Sequence, residues 1–231
     1  MRKIGFIGAY DKTDMLLNIA KILTTMSKKV LIIDSTINQK AKYVVPVMNP
    51  TVSYITFFED IDVAVGFSTM TEVEKYIGIK DKFPYDIVLI DADTEQRIKE
   101  FDLLNADLNY FVTSFDMYSL KKGLEILGNI KEPIKLTKIY FAEQAFKEDD
   151  DYLNFLAKDY KIEWNKEVVY FPLENGDGTV IAENQRLQKI KFKKLSITYK
   201  DALAFATQQI LQERTDSNVR RIIKIIEKGA L

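Results

Sequence analysis

The sequence predicts an α/β fold in which a mostly parallel, twisted sheet carries helices on both faces. Two observations support this fold class. Short apolar runs alternate with amphipathic helical patterns, which is typical of doubly wound sheets with right-handed crossovers. Several of the runs are apolar almost throughout, as in strands that are buried on both faces. The chain has 231 residues, of which 47% are hydrophobic, enough for one large domain.

The predicted strands and helices follow one another along the chain. We expect strands at 3–8, 29–34, 61–67, 85–91, 108–114, 137–142 and 167–173. The helical patterns predict helices at 14–26, 71–77, 94–104, 119–130, 152–160 and 199–213. The acidic segment 146–151 is interpreted as a loop or a helix start, where carboxylates suit the helix N-terminus. The segment 173–180, rich in Gly, Asn and Asp, is expected to be a surface turn.

Three further segments each have two interpretations. The aromatic segment 51–60 is an interaction surface or a buried edge strand with its turn, and edge strands are the more common source of such runs. The first interpretation of the lysine-rich segment 189–200 is a surface that contacts phosphates of nucleic acid or lipid. The second interpretation is an amphipathic strand or an exposed loop. The nearly neutral total charge favours the second interpretation.

The third of these segments is the C-terminus, 214–231, which we separate from a domain at 1–213. It is a basic amphipathic helix whose two faces differ in chemistry. Such a helix binds an anionic membrane or a partner groove, or packs on the domain core with its charges in water, and the last is the more common case. The apolar face contains Val219, Ile222, Ile223 and Ile226, and the basic face contains Arg220, Arg221, Lys224 and Lys228.

Composition excludes several classes of chemistry. The chain has neither cysteine nor histidine, so disulfides, thiolate metal sites and Ser-His-Asp catalysis are impossible. A formal net charge of −1 gives no general case for nucleic-acid binding, which we regard as the less favoured partner class. The sequence contains no apolar run long enough to span a membrane and no signal-peptide pattern at its start. We therefore expect a cytoplasmic protein, with peripheral membrane contact through 218–231 as the only membrane alternative.

The ends of the predicted strands identify the candidate site, because ligands of doubly wound sheets bind beyond the carboxyl ends of the strands. The first strand ends in the segment GAYDKTD, 8–14, the second at Asp34 and the fourth at Asp91. A phosphate-binding loop needs glycines that aim backbone N–H groups at the anion, then a Lys and a Ser or Thr. Lys12 and Thr13 provide the last two.

This order of motifs resembles the ParA/MinD-like branch of P-loop ATPases, whose deviant loop reads roughly G-K-G-G-V-G-K-T-T. Lys12 and Thr13 match the Lys-Thr of that loop, and Asp91 matches the acid that ends the Walker B strand. The resemblance covers most of 1–211. The other matching segments are the first helix and second strand at 16–34, the Walker B region at 85–95 and the next strand and helix at 103–127.

The resemblance implies a site for ATP or ADP with Mg²⁺. The implied nucleotide-binding residues are Gly8, Ala9, Tyr10, Asp11, Lys12, Thr13 and Asp14, and the implied metal ligands are Thr13, Asp34 and Asp91. No catalytic residue is assigned. Alternatives remain for these positions. Lys12 and Thr13 also fit an ordinary helix start, and Asp34 and Asp91 also fit caps of the turns that follow their strands. The nearby Asp93 and Glu95 are interpreted as a solvated helix start.

The chain departs from the family loop at several positions. Phe6 replaces the first glycine of the loop, and Ile7 replaces the signature lysine that reaches the partner subunit's phosphates. Ala9 replaces a further glycine, Asp11 replaces the glycine before the lysine, and Asp14 replaces the second threonine. Outside the loop, Thr36 replaces a frequent carboxylate. Asp11 is the most damaging change, because a carboxylate there opposes a polyphosphate. It either faces the loop, turns away, pairs with Lys12 or caps the following helix.

These departures predict a degenerate ParA/MinD-like protein, a pseudo-ATPase with weak or absent ATP hydrolysis. By resemblance, it would act as a positioning or assembly factor through protein partners in a pilus, secretion, conjugation or partition system, and would form a homodimer. One alternative is an active MgATP-dependent dimerisation switch in which another residue, such as Lys3 or Arg97, supplies the missing positive charge. The other is a membrane-recruited scaffold that uses the C-terminal helix.

Overall fold

One eight-stranded sheet organises the part of the chain that the structure describes. The structure is a computed structural model, which describes residues 1–47, 52–79, 82–142, 146–172, 176–212 and 217–229. The strands are β1 Arg2–Ile7, β2 Val30–Asp34, β3 Tyr54–Phe58, β4 Ile61–Val65, β5 Ile87–Ala92, β6 Leu108–Ser114, β7 Ile134–Phe141 and β8 Ile162–Phe171. Their order in the sheet is β3-β4-β2-β5-β1-β6-β7-β8, and only the β3–β4 pair is antiparallel.

Helices pack on both faces of this sheet. They are α1 Thr13–Thr25, α2 Ala41–Val44, α3 Met70–Ile77, α4 Glu95–Glu100, α5 Met117–Leu127, α6 Lys147–Leu156, α7 Asp177–Leu187, α8 Ile197–Leu211 and α9 Ser217–Lys228, with a short 3₁₀ helix at Leu103–Asn105. One core lies between the sheet and α1, α2, α7, α8 and α9, and the other between the sheet and α3, α4, α5 and α6. The predicted fold class is confirmed.

Alternate residues along a strand point into the two different cores. On β7, Ile139 and Phe141 point into the core beneath α8, whereas Leu136 and Tyr140 point into the core beneath α6. Successive side chains of a strand point to opposite faces, so a strand with helices on both sides is apolar throughout. The unbroken apolar runs of the sequence thus have the expected structural cause.

The aromatic segment predicted at 51–60 contains the edge strand β3 and a tight turn, while residue 51 lies outside the described residues. The turn is formed by Glu59 and Asp60, both with positive φ, 52° and 67°. Buried Lys21 of α1 fixes this turn, since its Nζ lies 3.1 Å from Glu59 Oε2 and 3.2 Å from Asp60 Oδ2. The hairpin is therefore tied to the first helix.

The prediction of a surface turn over 173–180 is wrong from residue 177 onward, while 173–175 lie outside the described residues. Helix α7 begins at Asp177, and Val180 packs into the core. The Asp177 carboxylate accepts hydrogen bonds from Ser196 N and Ser196 Oγ, both at 2.7 Å. This long-range contact between α7 and the start of α8 stabilises a helix whose first residues have the composition of a turn.

The lysine-rich segment is a loop followed by the first turn of α8, and no part of it is a strand. Ile190, Phe192 and Leu195 point into the core, while the lysines between them are exposed. The alternation that resembled a strand arises here because an irregular segment lies flat on the core.

The C-terminal helix α9 packs against α1 and α8. Val219, Ile223 and Ile226 are buried in the core and Ile222 is partly buried. Arg220 contacts Asp201, and Lys200 Nζ donates to Glu227 Oε1 at 2.5 Å, so ion pairs join α9 to α8. The predicted boundary at 214 lies outside the described residues. Among the helices of the described ranges, none combines the length and the apolar character that crossing a membrane requires.

Candidate functional site

The candidate site lies where β1, β2 and β5 end side by side. Asp34, the last residue of β2, is in register with Asp91 of β5, and Asp91 is in register with Phe6 of β1. The segment between β1 and α1 crosses above these strand ends. It borders a cleft of about 220 Å³ whose lining residues are Ala9, Tyr10, Asp11, Lys12, Thr13, Thr36, Asn38, Lys40, Tyr43, Asp91 and Asp93.

The loop above the strands is shorter than the resemblance suggests. Phe6 and Ile7, which align with loop positions, belong to β1 and have no exposed side-chain surface. The loop therefore starts at Gly8, which has φ +146°, and a Cβ there would lie 2.1 Å from the backbone oxygen of Val112. Only glycine fits that backbone conformation and that close approach. Because Ile7 is an apolar residue in the core, it offers no donor to a partner subunit.

Lys12 points inward from this loop. Its side chain is 2% exposed, and Nζ donates to the carbonyl oxygens of Gly8 at 2.7 Å and Tyr10 at 2.9 Å. The same Nζ lies 3.0 Å from Asp91 Oδ1 in an ion pair. Oδ1 has no aligned hydrogen bond in the described part of the chain, so this contact is chiefly electrostatic. The ammonium has three N–H groups, and three acceptor atoms of the chain itself surround it.

Asp91 has the most perturbed carboxyl group of the cleft. Burial raises its pKa, Lys12 lowers it and the nearby Asp34 raises it again, so that the pKa is about 7. Its backbone oxygen accepts hydrogen bonds from Ser35 N at 3.1 Å and Ser35 Oγ at 2.5 Å. The strand end is thus fixed through its backbone, while its side chain is an incompletely stabilised anion.

Asp11 turns toward the first turn of α1 and away from Lys12. Its Oδ1 accepts a hydrogen bond from Thr13 N at 3.1 Å, and its other oxygen contacts Lys40 Nζ. Burial raises the pKa of Asp11, but the bonds from Lys40 and Thr13 outweigh it and hold the pKa below its ordinary value. Asp11 therefore bonds the first N–H group of α1 from the position before the N-cap residue Lys12, which comes close to the predicted cap, and its cation is Lys40.

Asp34 accepts hydrogen bonds from the loop that follows β2. Its Oδ1 accepts from Thr36 N at 3.1 Å and Thr36 Oγ1 at 2.6 Å, and its Oδ2 accepts from Ala41 N at 2.9 Å. Thr36, which replaces a carboxylate of the family pattern, is thus a donor to Asp34. Both oxygens of this buried carboxylate are used to shape the loop 35–41.

Lys40 is the residue of the site that sequence reasoning missed. Its Nζ contacts Asp11 and lies 3.9 Å from Asp14 Oδ2. Asp14 also accepts a hydrogen bond from Gln185 Nε2 at 2.7 Å, and burial raises its pKa. Lys40 follows β2 in an irregular loop, so no motif or periodicity in the sequence marks it. The contact depends on how the Asp34 hydrogen bonds fold that loop.

Tyr10 and Lys40 separate the cleft from a second one of about 280 Å³. The Tyr10 ring stacks on Phe141 at the end of β7, with ring centroids 4.6 Å apart. Further along, Phe141 stacks on Phe171 and Phe171 meets Tyr199 edge to face. This row of rings fixes the loop against the C-terminal half of the sheet.

The remaining candidate residues have structural partners. Asp93 accepts hydrogen bonds from Ile37 N, at 3.1 and 3.0 Å to its two oxygens, and Glu95 lies in the first turn of α4. Lys3 donates to the backbone oxygens of Phe101 and Asp102. The Arg97 guanidinium donates to two backbone oxygens, of Ser35 and Ser68. Neither Lys3 nor Arg97 lines the cleft.

These contacts test whether the residues fit a nucleotide with Mg²⁺. The cleft is lined by two lysines, Lys12 and Lys40, and by three aspartates, Asp11, Asp91 and Asp93, so its charge does not favour a polyphosphate. Lys12 and the Thr13 N–H group are already bonded within the chain. In the described ranges, no group of three or more acidic side chains is arranged to hold a metal ion. In this arrangement the residues do not fit a nucleotide with Mg²⁺. The nucleotide-binding and metal-ligating roles that the sequence suggested for them stay predictions.

Comparison with known proteins gives matches among solved structures only. No model of a known protein family matches the sequence, and no curated protein matches it. MinD of Aquifex aeolicus has a TM-score of 0.54 at 14% identity, covering 93% of this chain and 99% of that chain. An McdA variant of Cyanothece in complex with ATP has a TM-score of 0.54 at 13% identity, covering 93% and 98%.

A putative plasmid partition protein of Borrelia burgdorferi, bound to AMPPNP, has a TM-score of 0.51 at 12% identity and covers 91% and 97% of the two chains. The match spans nearly the full length of each chain. The protein therefore has the fold of ParA/MinD ATPases, as the order of its sequence motifs predicted. At such identities the likeness concerns the fold, and the function must be argued from the site.

Proposed function

We propose that this protein is a degenerate ParA/MinD-like factor that positions or assembles other components through protein partners, with weak or absent ATP hydrolysis. The observation that carries the proposal is the position of Lys12. Its ammonium is enclosed by the carbonyls of Gly8 and Tyr10 and by the Asp91 carboxylate. To bind a phosphate, Lys12 would have to leave these partners, and the buried Asp91 would lose its cation and have to take up a proton, which adds to the cost of binding.

The helix start adds a second obstacle to phosphate binding. Anions bind helix N-termini through unsatisfied N–H groups, but the Asp11 carboxylate already accepts from Thr13 N. A polyphosphate would have to displace one carboxylate from that N–H group and approach two others, Asp91 and Asp93, across the cleft. Repulsion between two unit charges about 4 Å apart is roughly 4 kcal/mol near a protein surface. Nucleotide affinity is therefore expected to be low.

The role in positioning is supported by the fold and by the printed descriptions of similar structures. They include a MinC:MinD cell division protein complex of Aquifex aeolicus, with a TM-score of 0.52, and a putative plasmid partition protein.

Isothermal titration tests the proposal directly. Wild-type protein, Lys12→Ala and the matched control Lys99→Ala are titrated with MgATP, MgADP and MgAMPPNP. Lys99 is an exposed lysine of α4, with its side chain 58% exposed. We expect no measurable binding, or millimolar binding that is equal in all three proteins, and ATP hydrolysis at background level in each. Micromolar affinity that disappears in Lys12→Ala but not in Lys99→Ala would overturn the pseudo-ATPase assignment.

A second candidate function is a MgATP-dependent switch, and the position of Lys40 favours it. In this alternative Lys40, at the mouth of the cleft, leaves Asp11 and supplies the positive charge that Ile7 lacks. Lys12 would turn outward at the same time. The switch predicts that Lys40→Ala and Lys12→Ala each abolish nucleotide binding and nucleotide-dependent dimerisation in size-exclusion chromatography. Nucleotide-independent elution of the wild-type protein would eliminate it.

The membrane-recruited scaffold receives less support. The apolar residues that would enter a membrane, Val219, Ile223 and Ile226, are buried against the domain. Insertion would first have to expose them to water, at a cost of about 1.5–3 kcal/mol for each large side chain. Co-sedimentation with anionic vesicles, compared between the full chain and a chain that ends at residue 212, measures this contribution. Equal pellet fractions would exclude the role.

A further inference from the structure

Helix α6 exposes aromatic rings among carboxylates. Glu148, Asp151, Tyr152 and Phe155 follow one another at helical i, i+3, i+4, i+7 spacing and all face solvent. Tyr152 is 42% and Phe155 is 61% exposed. We name these four residues the acidic–aromatic face. Exposed rings grouped on one helix face are a feature of interaction surfaces, whereas single exposed apolar residues are ordinary.

The inner side of α6 is fixed to the sheet by a buried polar network. Lys138 of β7 is 4% exposed, and its Nζ donates to Asp150 Oδ1 and Asn154 Oδ1, both at 2.7 Å. Tyr140 Oη donates to the same Asp150 Oδ1 at 2.5 Å. The helix is thus held in one orientation, and a rigidly presented face loses less entropy on binding.

The chemistry of the face selects a cationic partner. The Lys158 ammonium lies 5.2 Å from the centroid of the Phe155 ring, so this ring already accepts a cation–π contact from its own chain. Glu148 and Asp151 add carboxylates at the same surface. Lysine or arginine side chains can pair with the acids and cover the rings, whereas an acidic or purely apolar partner cannot satisfy the carboxylates.

A matching basic face exists on α9. Arg221, Lys224 and Lys228 of this helix are exposed, and Lys224 borders a groove between α8 and α9. The apolar side of α9 is buried against α1 and α8, which fixes the orientation of the helix and keeps these three side chains in contact with solvent. We name them the basic face. The basic face and the acidic–aromatic face are complementary in charge, and each lies on a single helix.

The two faces cannot meet within one molecule. Helix α6 packs on one side of the sheet and α9 on the other. From this placement we propose that the acidic–aromatic face of α6 docks on the basic face of α9 of a second copy of this chain. The contact is heterologous, because two different surfaces pair. After one such contact each molecule still has one face available, so association continues head to tail into a ring or an open chain of copies.

The size of the contact determines its strength. Helix α6 has ten residues and is about 15 Å long, so the buried area falls below the roughly 1,200 Å² of stable interfaces. The association is therefore weak, depends on concentration and is sensitive to salt. It becomes populated where other contacts raise the local concentration. The proposal does not involve the nucleotide cleft, and Lys12→Ala is expected to leave it unchanged.

Sedimentation velocity over a concentration series, at low salt and at about 0.5 M salt, tests the proposal. Two variants neutralise one face each: Glu148→Gln with Asp151→Asn on α6, and Arg221→Gln with Lys224→Gln on α9. Wild-type protein is expected to sediment faster as its concentration rises at low salt, and each variant alone to remain monomeric. Equal amounts of the two variants are expected to form one-to-one dimers and nothing larger, since only one functional contact remains in the mixture.

Matched controls change the same number of charges elsewhere. They are Glu74→Gln with Glu132→Gln, and Lys28→Gln with Lys75→Gln, at exposed positions, and both are expected to associate like wild type. Thermal unfolding verifies that every variant is folded. A wild-type protein that stays monomeric at low salt would overturn the proposal. So would self-association in the neutralised variants, or a mixture that remains monomeric while the wild type assembles.

Discussion

Two lysine–aspartate pairs, each with a buried lysine, differ in how well the carboxylate is stabilised. Lys12 lies 3.0 Å from Asp91 in the cleft, and Lys138 lies 2.7 Å from Asp150 beneath α6. Both ammonium-bearing side chains are nearly inaccessible, at 2% and 5% exposure. The surroundings of the two carboxylates, however, shift their pKa values in opposite directions.

Asp150 is stabilised as an anion. Burial raises its pKa, but hydrogen bonds from Lys138, Tyr140 and Asn154 outweigh burial, and the pKa falls below its ordinary value. Asp91 is destabilised as an anion. Burial and the adjacent Asp34 outweigh Lys12, and its pKa rises to about 7. Two pairs with similar distances therefore have different electrostatic character.

The difference separates a network in which every group has a partner from a cleft with an incompletely stabilised carboxylate. Every member of the network at Lys138 has a partner, as expected of a group that fixes one helix on a sheet. Asp91 of the cleft has Lys12 as its cation, but burial and the nearby Asp34 raise its pKa, and strongly shifted carboxyl groups are typical of functional sites.

The largest expected effect is a pH dependence of opposite sign at the two aspartates. Because the folded pKa of Asp91 is about 7 and its ordinary value is 3.8, ionised Asp91 destabilises the folded state. This loss develops as pH rises from about 4 to about 7 and amounts to about 4 kcal/mol. We expect Asp91→Asn to gain about that much relative to wild type between pH 4 and pH 8, measured by urea unfolding.

Asp150→Asn is the matched comparison. Because the folded pKa of Asp150 is lowered, the ionised group stabilises the folded state above the unfolded pKa, and that stability is lost as pH falls through the folded pKa. The variant should lose stability relative to wild type as pH rises. Parallel pH profiles for the two asparagine variants would contradict the contrast between the pairs.

The next effect concerns the lysines. Lys138→Met removes the cation from Asp150, which keeps hydrogen bonds from Tyr140 and Asn154, and we expect a loss of about 3 kcal/mol at pH 7, the lower end of the range for breaking a buried pair, because Asp150 is partly exposed. Lys12→Met should cost about 2 kcal/mol, because Asp91 can take up a proton instead. The double variant Lys12→Met with Asp91→Asn should recover most of that loss. Chemical denaturation measures the loss for each lysine variant. A larger loss for Lys12→Met than for Lys138→Met would contradict the conclusion that Asp150 is the better stabilised anion.

Much of the fold followed from the sequence because its cause is local. A strand covered on both sides is apolar throughout, and β2 and β5 show that pattern at the predicted places. The positions of Asp34 and Asp91 at neighbouring strand ends followed from the same reasoning. Helix α7 did not, because its start depends on a contact between Asp177 and Ser196, nineteen residues away.

The orientation of side chains in the site could not be predicted from the sequence. The cation that pairs with Asp11 could have been Lys12 or Lys40, and Lys40 lies within reach of it in the loop that the Asp34 hydrogen bonds fold. Sequence spacing gives the residue types at a strand end. It does not give the contacts of a loop that is built on a neighbouring strand.

The smallest expected effect tests that orientation of Asp11. Its Oδ1 accepts from Thr13 N at the start of α1, so Asp11→Ala should cost about 1 kcal/mol, as the loss of one hydrogen bond does. Asp11→Asn keeps an acceptor and should cost a few tenths of that amount. Lys40→Ala removes a partner at the surface, with both side chains about 40% exposed, and should cost less than about 1 kcal/mol. If the Asp11 carboxylate instead pointed across the cleft toward Asp91 and Asp93, removing it would relieve repulsion among these three aspartates. Asp11→Ala would then be neutral or stabilising in urea unfolding, and Asp11→Asn would follow it.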